Sequence, residues 1–151
     1  MEKVKVALGF DRFPRKYTGE GENISPPISI DGAKGRSMAI VVDDPDCPTG
    51  TWVHWVIWNM PVVPLVPEAI EKRPHIERPF MAVQGTNSGD EIGYDGPLPP
   101  RGHGPHRYYF KVYVLDSEID LEAGATKEDL MRAIRGRTIQ QGETMATYER
   151  R

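Results

Sequence analysis

Fifteen glycines and fourteen prolines are scattered from end to end of this 151-residue chain. Proline cannot donate the backbone hydrogen bond that a helix interior needs, and glycine loses more conformational freedom than other residues when held there. Convincing helical periodicity is correspondingly scarce, and the breaker spacing points to a mainly β domain with long ordered loops. An unbroken apolar run at residues 38–42, between Gly35 and Asp43, suits a strand buried on both faces. Residues 51–60 read as a second strand. Strict alternation there puts Trp52, His54, Val56 and Trp58 on one face and Val53, Trp55, Ile57 and Asn59 on the other. The third strand, residues 107–115, is rich in Tyr, Phe and Val and closes at the turn signal Asp116-Ser117. One helix declares itself: Thr126 can cap it with Asp129 three residues later, and Leu130 and Ile134 form its apolar stripe before Gly136. A fainter helical pattern at 67–71 is crowded by Pro64, Pro67 and Pro74, so 62–79 reads mostly as loop.

A chain of this size can bury a core as one compact domain, residues 1–151. Its net charge of −3, with acids and bases intermixed, lacks the basic footprint of a nucleic-acid binder. Cys47 is the only cysteine, which excludes an internal disulfide and a multi-thiolate zinc site. No apolar run approaches the roughly 20 residues of a membrane-spanning helix. Met1-Glu2-Lys3-Val4 opens without a signal-peptide core, so a cytoplasmic protein with no membrane span is expected.

The stretch 43-DDPDCPTGTW-52 sets three carboxylates beside two prolines. Pro45 and Pro48 fix their own φ and bias Asp44 and Cys47 away from the helical region, giving a stiff kink. Such a segment suits a binding site, and equally a solvated turn. His54 follows within an aromatic row, where a lone histidine is more often structural than functional. The long irregular stretch 85–107 leads into His106-Arg107-Tyr108, and structureless connections of that length are usually functional. His75 and His103 lie in loops and read as surface residues.

If the strands at 51–60 and 107–115 are neighbours, Asp44, Asp46, His54, His106 and Tyr108 converge at one end of a sheet. The chain has no G-x-S-x-G elbow, no H-E-x-x-H, and no Gly-Lys-Ser/Thr after 85-GTNSGD-90, so serine hydrolase, zinc and nucleotide-loop classes recede. Recognition of a small anion remains, with imidazoles, a phenol and backbone N–H groups as donors. A carboxylate bonded to an imidazole would fix its tautomer and favour the cation near neutral pH. The alternative is a hydrolase in which His54 or His106 acts as general base and Asp44 or Asp46 as its orienter or acid. No catalytic residue, cofactor or metal is assigned.

Four segments taken in order resemble the phosphatidylethanolamine-binding protein family, in its bacterial and archaeal Raf-kinase-inhibitor-like branch. They are 21-GENISPPISI-30, 42-VDDPDCPTGTWVHWVIWNMP-61, 93-GYDGPLPPRGHGPHRYYFKVYVLD-116, and the ending from Ala125-Thr126-Lys127-Glu128 through Gly142-Glu143 to Thr147-Tyr148-Glu149-Arg150. The resemblance implies one domain of that family over residues 1–151, an antiparallel β-sandwich with a large central sheet packed on a smaller one and one or two short peripheral helices. It implies a small pocket for phosphate-like groups. Asp44 and Asp46 would come from the acidic element, Trp52 and His54 from the strand after it, Gly96, Pro97, Pro99 and Pro100 from G-x-x-P-P, and His106 and Tyr108 from H-R-Y. It further implies a cis Cys47-Pro48 bond and a non-enzymatic role with an anionic or phosphorylated ligand. A protein partner such as a kinase or serine protease, and a homodimer as in bacterial relatives, belong to the same set of expectations. Eukaryotic relatives have paired histidines where Val53-His54 stands and glycine at Leu98, so a narrower pocket mouth is expected.

Overall fold

The apolar run at 38–42 lies in a strand buried along its whole length, because that strand sits in the middle of a seven-stranded sheet. A computed structural model describes residues 1–151. Its strands are β1 (Glu2–Lys3), β2 (Lys5–Ala7), β3 (Ile28–Asp31), β4 (Ser37–Asp44), β5 (Trp52–Met60), β6 (Leu65–Val66), β7 (His75–Ile76), β8 (Ala82–Gln84), β9 (His106–Leu115) and β10 (Thr138–Tyr148). A 3-10 turn at Arg15–Tyr17 and one α-helix, α1 (Lys127–Ala133), complete the elements. The large sheet runs β1-β10-β9-β4-β5-β8-β7, antiparallel except for the β1–β10 pair, and β2-β3-β6 form the small sheet.

Alternation along β4 decides what covers each face of the large sheet. Met38, Ile40 and Val42 pack with Ile28, Ile30 and Val66 of the small sheet, joined by Phe110, Val112 and Val114 of β9. Ala39 and Val41 point the other way, onto Leu130 and Ile134 at α1. Each fully buried Leu or Ile contributes about 1.5–3 kcal/mol, so even a two-turn helix is held to the sheet by its stripe. The expected cap is present: Thr126 Oγ1 accepts from Asp129 N–H, and the Asp129 carboxylate accepts from Thr126 N–H. Lys127, the first residue of α1, reaches Asp43 at 2.8 Å, and Lys111 of β9 reaches the same buried carboxylate at 3.2 Å.

Strict alternation does not survive in β5. Val42 pairs with Trp55 and Asp43 with Val53, which leaves His54 as an extra residue in the strand. A bulge of this kind bends the strand and re-aims a side chain. His54 therefore shares the small-sheet side with Trp55 and Tyr108, whereas Val53, Val56 and Trp58 pack on the α1 side. The expected row of His54 with Val56 and Trp58 is thus corrected.

The Cys47-Pro48 bond is trans; the cis peptide lies at Arg78-Pro79. Cys47 O accepts from Gly50 N–H at 3.0 Å, which puts Pro48 at the second position of a tight turn. Trans proline is at home there, whereas turns with cis proline place it one residue later. Region 62–79 contains the short strands β6 and β7 and no helix.

Candidate functional site

β4 lies between β5 and β9, so the end of β4 meets the starts of both neighbours at one edge of the large sheet. A cavity of about 290 Å³ opens at that junction. Asp44 ends β4, Trp52 and His54 come from β5, and His106 and Tyr108 open β9. Gly96, Pro99 and Pro100 supply the facing loop wall.

Two expected residues lie outside it. Asp46 turns to Arg107, whose Nε and Nη2 reach its two carboxylate oxygens at 2.9 and 2.8 Å. That bidentate pair holds the Asp46 carboxyl down at about 2. Its role is to clamp the acidic turn onto β9. Pro97 is buried in the wall, its carbonyl accepting from Gly19 N–H at 2.9 Å. Leu98 lines the cavity, at the mouth where it was expected, and Cys47, Pro48 and Asp95 line it although sequence reasoning did not select them.

His54 is buried, and its Nδ1 lies 2.6 Å from the backbone carbonyl of Asp95. A carbonyl only accepts, so the proton sits on Nδ1 and the neutral ring presents a lone pair at Nε2. Burial lowers the pKa of His54, and the Asp95 carbonyl only partly opposes it. The expected cation near neutral pH is therefore not what His54 offers by itself. Tyr108 is also buried, and burial, followed by the charge of Asp44, raises its phenol well above the ordinary value. It stays protonated and available to donate.

His106 faces a different environment. Its Nδ1 donates to Asp44 Oδ2 at 2.6 Å, in a pair buried on both sides. The other Asp44 oxygen accepts from Asp46 N–H at 2.7 Å. The Asp44 carboxylate thus has a donor on each oxygen, which reduces its repulsion of an incoming anion. His106 Nε2 lies 2.6 Å from Nδ1 of His103. His103 is exposed, as expected of a loop residue, but it is also in contact with the site.

The loop wall is set by Asn23, whose φ of +58° places its side chain between two segments. Its Nδ2 donates to Asp95 Oδ1 at 3.0 Å, and its Oδ1 accepts from Gly96 N–H at 2.7 Å. The Gly96 N–H is thereby taken within the protein and is not offered to a ligand. Gly96 is small for a packing reason, since a Cβ there would lie 2.3 Å from Tyr17 O. The signal for Asn23 lay in 21-GENISPPISI-30, but nothing in the spacing joins it to a loop 72 positions away.

Comparison with known proteins agrees with this architecture. A family model described as phosphatidylethanolamine-binding protein matches residues 5–149. A UPF0098 protein of Pyrococcus abyssi is 49% identical over 154 residues, covering 100% of this chain and 86% of its own. Another, from Methanothermobacter thermautotrophicus, is 45% identical over 142 residues, with 92% and 91% covered. The crystal structure of a putative phosphatidylethanolamine-binding protein homologue from Chlamydia trachomatis superposes with a TM-score of 0.87 at 36% identity, covering 100% of both chains. Escherichia coli YbcL, described as a new member of the mammalian family, gives 0.88 at 28% identity over 99% of both.

Proposed function

The chain belongs to the phosphatidylethanolamine-binding protein family, and from that premise we propose that its cavity captures a small phosphate-like anion without altering it chemically. One observation carries the reading. His54 and Tyr108 are buried and line the cavity, yet His54 Nε2 and the Tyr108 hydroxyl have no hydrogen-bond partner within the protein, and neither atom is sealed from the cavity. Two unpaired polar atoms that open together onto one hollow with an apolar rim favour a polar guest. Tyr108 donates to an oxygen of the anion. His54 accepts a hydroxyl of a protonated phosphate, or takes up a proton and donates. In both cases a proton enters with the anion.

Trp52, Leu98, Pro99 and Pro100 give the mouth an apolar rim, which suits a phosphoryl group carried on a larger body such as a phosphorylated protein partner. Asp44 orients His106 as the hydrolase alternative requires, but the other nitrogen of that ring is held by His103 and no nucleophile stands beside it. His54 is oriented by a carbonyl and not by an acid, and no hydroxyl or thiol is bonded to either pocket imidazole. The Cys47 sulfur is instead 3.5 Å from Thr49 Oγ1.

Titration calorimetry with inorganic phosphate tests the assignment. The unmodified chain is expected to bind, and His54→Ala and Tyr108→Phe each to weaken binding roughly 10- to 150-fold, as loss of a hydrogen bond to a charged group does. Binding that both variants leave unchanged would remove the cavity from consideration.

A further inference from the structure

His106 lines the cavity, but both of its ring nitrogens are engaged: Asp44 holds Nδ1 and His103 holds Nε2, each at 2.6 Å. The two holders differ in kind. Asp44 is buried and fixed at the end of β4 by its second bond to Asp46 N–H. His103 is exposed, between Gly102 at φ +71° and Gly104 at φ +86°, and neither glycine has a neighbour near its would-be Cβ. Its ring tilts over His106 at a centroid separation of 4.8 Å. A solvent-facing side chain thus occupies a hydrogen-bonding position on a buried pocket imidazole.

We propose that His103 is a built-in competitor for the anion, holding the position on His106 Nε2 that a phosphate- or sulfate-like oxygen takes when it binds. The inference rests on the anion-binding reading above. Ligand entry requires only that one exposed side chain rotate away, and its return speeds release.

The proton count follows from the same contacts. Asp44 accepts Nδ1–H, so neutral His106 has a lone pair at Nε2 and accepts the Nδ1–H of His103. An oxyanion needs a proton on that atom instead. His103 can pass its Nδ1 proton along the 2.6 Å contact while its own exposed Nε2 takes one from solvent. His103 ends neutral in its other tautomer, and His106 ends as the imidazolium facing the ligand. Several groups surround the pair. Asp44, Asp46 and Cys47 approach from the acidic element, His54 from β5, and Arg107 and Tyr108 from β9. Tyr148 pairs with His106 across the sheet, and Arg150 O holds Gly102 N–H. Asp46 and Arg107 offset each other, both tyrosines stay protonated, and Asp95 lies across the cavity bonded to Asn23, which leaves Asp44 as the acid bonded to the ring.

Calorimetric titration of the full chain with sulfate, whose charge is constant across the working range, tests the proposal. Two variants are compared with the unmodified protein: His103→Ala, and His103→Phe, which keeps a ring but no nitrogen. At about pH 7.5 both are expected to bind sulfate roughly 2- to 10-fold tighter, the worth of one modest hydrogen bond removed from competition. Once the pair holds a second proton no lone pair is left between the rings, so the advantage is expected to shrink as pH is lowered. Equal or weaker binding by His103→Ala at the higher pH overturns the proposal while leaving the pocket standing. A gain with Ala but not with Phe would assign the effect to bulk and also overturn it. No sulfate binding by any of the three proteins would sink the anion reading, and this inference with it.

Discussion

Asp44 serves two partners with one carboxylate, Asp46 N–H at 2.7 Å and His106 Nδ1–H at 2.6 Å. An amide in its place could keep the first bond but would turn an N–H toward the second. His106 would then have to present a lone pair at Nδ1 and move its proton to Nε2. Asp44→Asn is therefore expected to invert the His106 tautomer, read from long-range proton–nitrogen correlations of the ring. Leaving buried groups imperfectly paired should also lower unfolding stability by about 1–3 kcal/mol in a urea titration. An unchanged tautomer would contradict the Asp44 contact. At this scale the sequence was informative where chemistry is written in a side chain: the acid-proline kink, His54 and the H-R-Y entrance could all be found. It was silent where a backbone atom does the work. The Asp95 carbonyl that orients His54 carries no mark of residue type, and His103 gained its contact only through the turn linking Pro100 O to its own N–H.

Among the elements that residue patterns hid, β10 is the longest. Its burial alternates regularly from Thr138 to Ala146, but the inward positions hold polar or small residues such as Gln140 and Gly142, while Ile139 and Met145 face outward. What makes it a strand is pairing on both sides, with β9 antiparallel and β1 parallel, which sequence-local reasoning cannot supply. The bulge at His54 was hidden for a similar reason, since an extra residue is defined by the register of β4 and not by β5 alone. Gly142 has a packing explanation: a Cβ there would lie 2.2 Å from Val4 O, against the segment between β1 and β2. Gly142→Ala should therefore push the first strands off the sheet edge, costing about 1–3 kcal/mol. Hydrogen exchange gives a local test. The Val4 amide, bonded to Gln141 O at 3.1 Å, should lose protection well before those of β4. Equal protection in the variant would mean that the backbone absorbs the methyl without separating.

For the whole molecule, pH connects the fold to the cavity through two groups with separate windows. Asp46 is held at about 2 against an ordinary 3.8, so its contribution is present above the ordinary value and is lost as pH falls toward 2. The Arg107 partner is half exposed, which limits that contribution to about 0.5–1 kcal/mol. Asp46→Asn should flatten the acid limb between about pH 4 and 2 by that amount. His54 acts higher. Its folded pKa lies below the ordinary 6.5, so on acidification the unfolded chain takes a proton that the native ring resists, and stability declines as pH falls below about 6.5. A bound oxyanion reverses the preference by stabilising the imidazolium, so binding and proton uptake favour each other. The rise in melting temperature produced by sulfate over chloride at equal ionic strength should therefore grow between about pH 7.5 and 5.5. In His54→Ala much of that growth should vanish, leaving only what His106 supplies. A sulfate increment in the unmodified protein that stays level across this range would mean that no pocket imidazole changes charge on binding, and proton-linked capture would have to be abandoned.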